Sequence, residues 1–221
     1  TPLTSIIGYS KLLKTQDLTP ENFQTCIDNI YRESRRIQHL SDSMLKLVKL
    51  RQSNLRLESL SAQEIFAQAG QSLRIRLEKK QIKLFIEPGD FIFHGDRELC
   101  TILLGNLLEN ALKASPKNSC VTLGVFREAG QSGVFVRDEG TGIPPDVLDK
   151  LFEPFFTTDE SRTGKNGLGL GLTICAQIVH LHNWKIEIES EAGWGTRIKI
   201  IMQDQDTNIL QVQKDFDIEA G

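Results

Sequence analysis

The sequence predicts an α+β chain: an antiparallel helical hairpin followed by a domain that mixes strands and helices. Three observations predict it. Between Phe23 and Val48 apolar and small residues recur in alternating steps of four and three, the mark of a long helix with one apolar seam. The stretches 121–126 and 133–138 are rich in Val, Phe and Leu and lie one short loop apart, as the two strands of a hairpin do. Two glycine motifs, Asp138-Glu139-Gly140-Thr141-Gly142 and Gly167-Leu168-Gly169-Leu170-Gly171-Leu172, then follow the second strand and precede a helix.

Composition narrows the class. With 221 residues the chain has room for one large domain or two small ones. A net charge of −3 implies no basic face, so nucleic acid is not an expected partner. No apolar run approaches the roughly 18 residues of a membrane span, and no signal peptide is present, so this segment is expected to be cytoplasmic and to make no membrane contact. The first residue is Thr1 rather than Met, as in a piece of a longer protein, whose membrane anchor would lie outside this segment. Cys26, Cys100, Cys120 and Cys175 are scattered without CxxC pairing, which suits reduced thiols rather than a disulfide frame or a zinc site.

The elements are read in order. Residues 3–14 form a first helix, with Leu3, Ile6, Ile7 and Leu13 at helical spacing. Thr19-Pro20-Glu21 restarts the helix: an N-cap, a proline at the first position and an acid in the first turn. The second helix runs to about residue 52 and carries the seam Phe23, Ile27, Ile30, Ser34, Ile37, Ser41, Met44 and Val48. Two helices cannot enclose such a seam, so two copies of 1–52 are expected to pair into a four-helix bundle, the alternative being that the hairpin packs on the following domain of its own chain. Residues 55–60 alternate like a strand. Ser61 caps a helix from Ala62 to about Lys80, strands follow at 82–86 and 91–93, and Asp96 opens a helix to about Ala114. A short helix is expected from Pro144 to about Phe152, a polar loop at 157–167, a helix from Leu170 to His182, and a closing hairpin of 184–190 and 196–202. The domains are therefore 1–52, 53–203 and an acidic tail, 204–221.

The motifs suit a nucleotide. Glycines at 167, 169 and 171 let backbone amides approach phosphates, and the helix beginning there adds its positive end. Asn106, Asn110 and Lys113 lie at i, i+4 and i+7 on one helical face. Asn110 offers an amide oxygen of the hard kind that Mg²⁺ accepts. Asp138, at a strand end beside Gly140 and Gly142, can accept from an exocyclic amine, which favours adenine. Lys113, Arg162 and Lys165 can neutralise phosphate, with 157–167 as a lid.

These motifs, in this order, resemble the dimerisation and catalytic core of a bacterial two-component sensor histidine kinase with a Bergerat (GHKL) ATP domain. Asn106–Lys113 resembles the N box, Asp138–Ile143 the G1 box, Phe152-Glu153-Pro154-Phe155-Phe156 the F box, Gly167–Leu172 the G2 box, and Gly193-Trp194-Gly195-Thr196 a last glycine motif. The resemblance implies a helical hairpin followed by an α/β sandwich with a mixed sheet, and ATP and Mg²⁺ as cofactors. Asn110 would hold the metal, Asp138 and Thr196 would meet adenine with Gly140, Gly142 and Ile143 around it, and Asn106 and Lys113 would contact phosphate. The amides of Gly167, Leu168, Gly169, Leu170 and Gly171 would wrap the phosphates. A receiver domain of a response regulator is the implied partner.

Two departures matter. Ala114 stands where many members have an aromatic residue. Thr1-Pro2-Leu3 resembles the end of the family's His-(Glu/Asp)-x-x-Thr-Pro-Leu segment, so the acceptor His would lie four residues upstream of this chain. Thr1 would then be the residue with which some members orient water to dephosphorylate the regulator. A nucleotide-binding regulator biased towards phosphatase action, or without catalysis, is the alternative. A gyrase-, repair- or chaperone-type ATPase fits less well, because those members carry a Glu, the base for water, where this chain has Asn106.

Overall fold

The computed structural model describes residues 1–15, 17–52, 55–157 and 169–202. They fall into two compact units, one of Thr1–Gln52 with Glu153–Leu170 and one of Ser53–Phe152 with Gly171 onward. Of the segment 153–170, which the sequence reading includes in the 53–203 domain, the described residues 153–157 and 169–170 are grouped with the helices. The expected acidic tail and the expected loop at 157–167, its first residue aside, lie outside the described residues.

In the first unit α1 (Pro2–Thr15) and α2 (Pro20–Gln52) pack on one another. Both start the same way. Thr1 Oγ1 accepts the Thr4 amide at 3.3 Å and Thr19 Oγ1 accepts the Asn22 amide at 3.4 Å, each with proline next in line. A proline there has no amide to leave unpaired and its φ is already helical. Cys26 is buried on α2, with Ile30 and Leu40 half-buried, and Ile6, Tyr9 and Leu13 are half-buried on α1. The expected seam stays largely open: Phe23, Ile27, Ile37, Met44 and Val48 are between 38% and 52% exposed. One chain therefore leaves an apolar stripe beside the face that α1 covers.

In the second unit a five-stranded sheet has the order β2-β4-β5-β7-β6, with β2 (Lys83–Ile86) parallel to β4 (Cys120–Glu128). The other neighbours, β5 (Gln131–Asp138), β7 (Gly195–Met202) and β6 (Lys185–Glu191), are antiparallel. The sheet is mixed, as expected. A separate pair, β1 (Glu58–Ser61) and β3 (Ile92–Gly95), begins and ends a little later than the sequence suggests. Three helices build the other layer: α3 (Ala62–Lys80), α4 (Arg97–Ala114) and α5 (Gly171–Leu181). Ser61 and Asp96 cap α3 and α4 as read, their side chains accepting the Glu64 and Leu99 amides. Ile65, Phe66, Leu103, Leu107 and Ile178 meet Val121, Leu123, Val134 and Ile200 in a core where each is no more than 2% exposed. The short helix after Pro144 is 3₁₀ rather than α and spans Pro145–Lys150. Among the described residues no helix is long and apolar enough to cross a membrane.

Candidate nucleotide site

Helix α4 supplies the first wall. Leu103, Leu104, Leu107, Leu108, Ala111 and Leu112 are buried in the core, and that fixes the rotation of the helix. Asn106 and Asn110 consequently face outward, half-buried. Asn106 donates from Nδ2 to the Ile102 carbonyl at 2.9 Å, which holds its amide back along the helix with Oδ1 outward. The first residue of α5 comes close to this pair. A Cβ at Gly171 would stand 3.3 Å from Asn106 Oδ1 and 3.8 Å from Asn110 Oδ1. The start of α5, whose first amides have no partner within the helix and whose end is positive, therefore meets the two Asn side chains.

Lys113 completes the face one turn on. Burial lowers its ammonium from the ordinary lysine value, Glu109 opposes that shift and Arg76 adds to it. The end of α4 is held from α3: Lys80 Nζ donates to the carbonyls of Leu112 at 2.7 Å, Lys113 at 3.3 Å and Ser115 at 3.4 Å. These are carbonyls that a helix end otherwise leaves unpaired.

The second wall is the end of β5. Asp138 is 8% exposed, and burial raises its carboxyl above the ordinary value, with the Gly140 and Thr196 amides pulling the other way. Its Oδ1 accepts the Gly140 amide at 2.8 Å. Asp138 stands opposite Thr196 in the β5–β7 ladder, and Thr196 is also buried. The glycines are there for space. A Cβ at Gly140 would fall 2.9 Å from Ala114, at Gly142 2.0 Å from the Glu191 carbonyl, and at Gly195 2.1 Å from the Asp138 carbonyl. Gly142 and Gly195 also have φ of 69° and 98°, where an L side chain is strained.

Two residues that the sequence reading passed over hold this end together. Ser190 Oγ accepts the Ile143 amide at 2.8 Å and donates to the Gly195 carbonyl at 3.0 Å. A serine has one proton, so in the 2.9 Å contact between Ser190 and Thr196 the threonine is the donor. Glu139 Oε2 accepts the Cys120 amide at 2.9 Å and ties the loop to the start of β4.

The described residues of the second unit thus bring together Asn106, Asn110, Lys113 and Gly171 on one side, and Asp138, Gly140, Gly142, Ile143 and Thr196 on the other. Gly140 against Ala114 joins the two. Gly169, with φ of 68°, and Leu170 belong to the first unit, as does Thr1 at the start of α1. Arg162, Lys165, Gly167 and Leu168 lie outside the described residues. The donor set fits ATP with Mg²⁺. Asn110 offers a half-buried amide oxygen beside a helix start, and Mg²⁺ is commonly held by one or two protein oxygens plus substrate phosphates and water.

Comparison with known proteins agrees with this geometry. Residues 95–206 match the family described as histidine kinase-, DNA gyrase B-, and HSP90-like ATPase, and residues 1–53 match the His Kinase A (phospho-acceptor) domain. Sporulation kinase C of Bacillus subtilis is 30% identical over 204 residues, covering 91% of this chain and 45% of that protein. The circadian input-output histidine kinase CikA of Synechocystis is 34% identical over 233 residues, covering 98% of this chain and 31% of that protein. The chain thus spans less than half the length of these relatives. The fold is shared with histidine kinase ThkA, solved in complex with response regulator protein TrrA, at a TM-score of 0.74 and 22% identity over 93% of this chain and 58% of that one. The chain belongs to the two-component sensor histidine kinases, joining a phospho-acceptor-type helical domain to their ATPase domain.

Proposed function

We propose that this chain is the catalytic core of a sensor histidine kinase, taking the γ-phosphoryl of ATP·Mg²⁺ to a histidine of the helical domain and from there to an aspartate of a response regulator. The observation that carries the reading is the approach of Gly171, at the start of α5, to the side-chain oxygens of Asn106 and Asn110. An amide oxygen of the kind a hard cation accepts, beside a helix start that attracts phosphate, supports the reading.

Each residue then has a task. Asp138, buried at the end of β5, accepts from the exocyclic amine of adenine, with Thr196 beside it and Gly140, Gly142 and Ile143 lining that end. Asn110 holds Mg²⁺. Asn106 and Lys113 contact phosphate, with Arg162 and Lys165 as further cations, and the amides of residues 167–171 wrap the chain of phosphates. The nucleotide supplies the phosphoryl group. The protein contributes positioning and charge neutralisation, which carry most of the catalysis in phosphoryl transfer. The stripe Phe23, Ile27, Ile37, Met44 and Val48, half-exposed in one chain, supports a homodimer through residues 1–52.

Titration of the chain with ATP in the presence and absence of Mg²⁺ tests the site. The expected result is micromolar-range binding that needs Mg²⁺ and is lost in Asn110→Ala. Binding that ignores both Mg²⁺ and the Asn110 side chain would overturn the assignment.

A further inference from the structure

Arg76, Glu109 and Lys113 form a charge relay between α3 and α4 that neither glycine box includes. Arg76 Nη1 donates to Glu109 Oε1 at 2.5 Å, while Lys113 Nζ stands 4.0 Å from the other carboxylate oxygen, Oε2. The three side chains are 52%, 37% and 32% exposed, so the pairing lies at a surface but Lys113 is the most enclosed. Glu109 directly precedes Asn110, the proposed metal ligand, and lies one turn before Lys113, the proposed phosphate contact.

Glu109 by itself would be a poor neighbour for a polyphosphate. Its negative charge would repel the phosphates and pair with Lys113, cancelling the cation on offer. The geometry here differs: the carboxylate is taken at hydrogen-bond distance by a guanidinium from another helix, and Lys113 is left at ion-pair distance only. A guanidinium is always charged and binds carboxylate more specifically than an ammonium does. With Arg76 present the cluster keeps one net positive charge. Without it, the cluster is neutral.

We infer that Arg76 is a positioning residue for nucleotide binding: it occupies Glu109 and so leaves the Lys113 ammonium available to the phosphates. The inference rests on the proposed role of Lys113 in the ATP site.

Sign separates this role from mere helix docking. Affinities for ATP and for adenosine are measured on the 221-residue chain and on Arg76→Met, Glu109→Gln and the double variant, with a thermal melt of each. Arg76→Met is expected to weaken ATP about two- to fivefold, the range of a partly exposed charge pair, with adenosine unchanged. Glu109→Gln, which removes the competing carboxylate, is expected to tighten ATP. The double variant is expected to return to the parental affinity or better. If the Arg76–Glu109 pair serves only to dock α3 on α4, Glu109→Gln weakens ATP or leaves it unchanged, adenosine follows, and the double variant is not rescued; that result overturns the inference. A parent chain that binds no ATP at all would instead overturn the site itself. Should Arg76→Met melt before the titration, Glu109→Gln alone decides the question through its sign.

Discussion

The hydroxyl of Ser190 accepts the backbone N–H of Ile143 at 2.8 Å, across 47 positions of chain. With the Gly193 amide, which donates to the Thr141 carbonyl at 2.8 Å, this contact fastens the loop after Asp138 to the β6–β7 hairpin, and the same oxygen also reaches Thr196 and the Gly195 carbonyl. Ser190→Ala leaves the Ile143 amide and the Thr196 hydroxyl without that partner. The expected cost is about 1–3 kcal/mol of stability, as for unpaired polar groups at partly buried sites. Urea unfolding measures it, and ATP affinity is expected to fall with it because the loop lines the adenine end.

Gly142 is expected to be the least replaceable glycine of the loop. Its φ is 69° and a Cβ would lie 2.0 Å from the Glu191 carbonyl, a backbone atom that cannot swing aside. Gly142→Ala is expected to destabilise by more than about 1 kcal/mol. Gly193 offers a control, having φ of 85° but open space around its Cβ position. Gly193→Ala should cost less in the same unfolding experiment.

Asp138→Asn separates binding from stability. Burial raises the Asp138 carboxyl, so folding favours its protonated form. That contribution is fully present below the ordinary carboxylate range and is lost as pH rises through the folded value. Asparagine is neutral throughout and can still accept from the Gly140 amide. The variant is therefore expected to melt no lower than the parent at pH 7, while ATP affinity falls on the order of tenfold or more, as when a hydrogen bond to a charged group is lost. Calorimetry and nucleotide titration on the same sample check both halves.

His182 gives the domain a dependence on mild acid. The ring is 9% exposed and stacks on Trp184 at 4.2 Å. Nε2 accepts the Asp96 amide at 3.0 Å, so Nδ1 carries the proton and donates to the Ile178 carbonyl at 2.8 Å. Burial lowers its pKa, against the Ile178 carbonyl and Asp96, which raise it. A protonated ring would turn a donor towards the Asp96 amide. Stability is thus complete above the ordinary histidine value of about 6.5 and is lost as pH falls through the lower, folded one. Melting temperatures between pH 8 and pH 5 should show this decline, and His182→Gln should flatten it.

Much of this was legible in the chain because it depends on neighbours in sequence. Ser61, Asp96 and Thr19 cap helices through amides three positions on, and prolines and glycines mark turns by their own φ. Asn106, Asn110 and Lys113 share a face by helical spacing alone. The glycines of the loop after Asp138 are required by tertiary approach, yet their spacing made them visible. Ser190 and Arg76 gave no such sign, and Lys80 reads only as a basic end for its own helix, whereas it serves the end of α4. A serine on an alternating strand or a cation near a helix end looks like ordinary surface, and each acquires its role only when strand register or helix packing brings it to a distant partner. The seam of α2 was legible as a period, but that α1 covers the adjacent face of Cys26 and Ile30 depends on how the two helices meet.

Labelled phosphate is the most direct probe of the proposed phosphoryl transfer to histidine. The chain, extended upstream of Thr1 by the His-(Glu/Asp)-x-x segment that the family resemblance implies, is given ATP·Mg²⁺ labelled on the γ-phosphate. The expected product is a phosphoprotein that is acid-labile and base-stable, and that is lost in Asn110→Asp. Bound nucleotide without any phosphoprotein, or a label that survives acid, would contradict it.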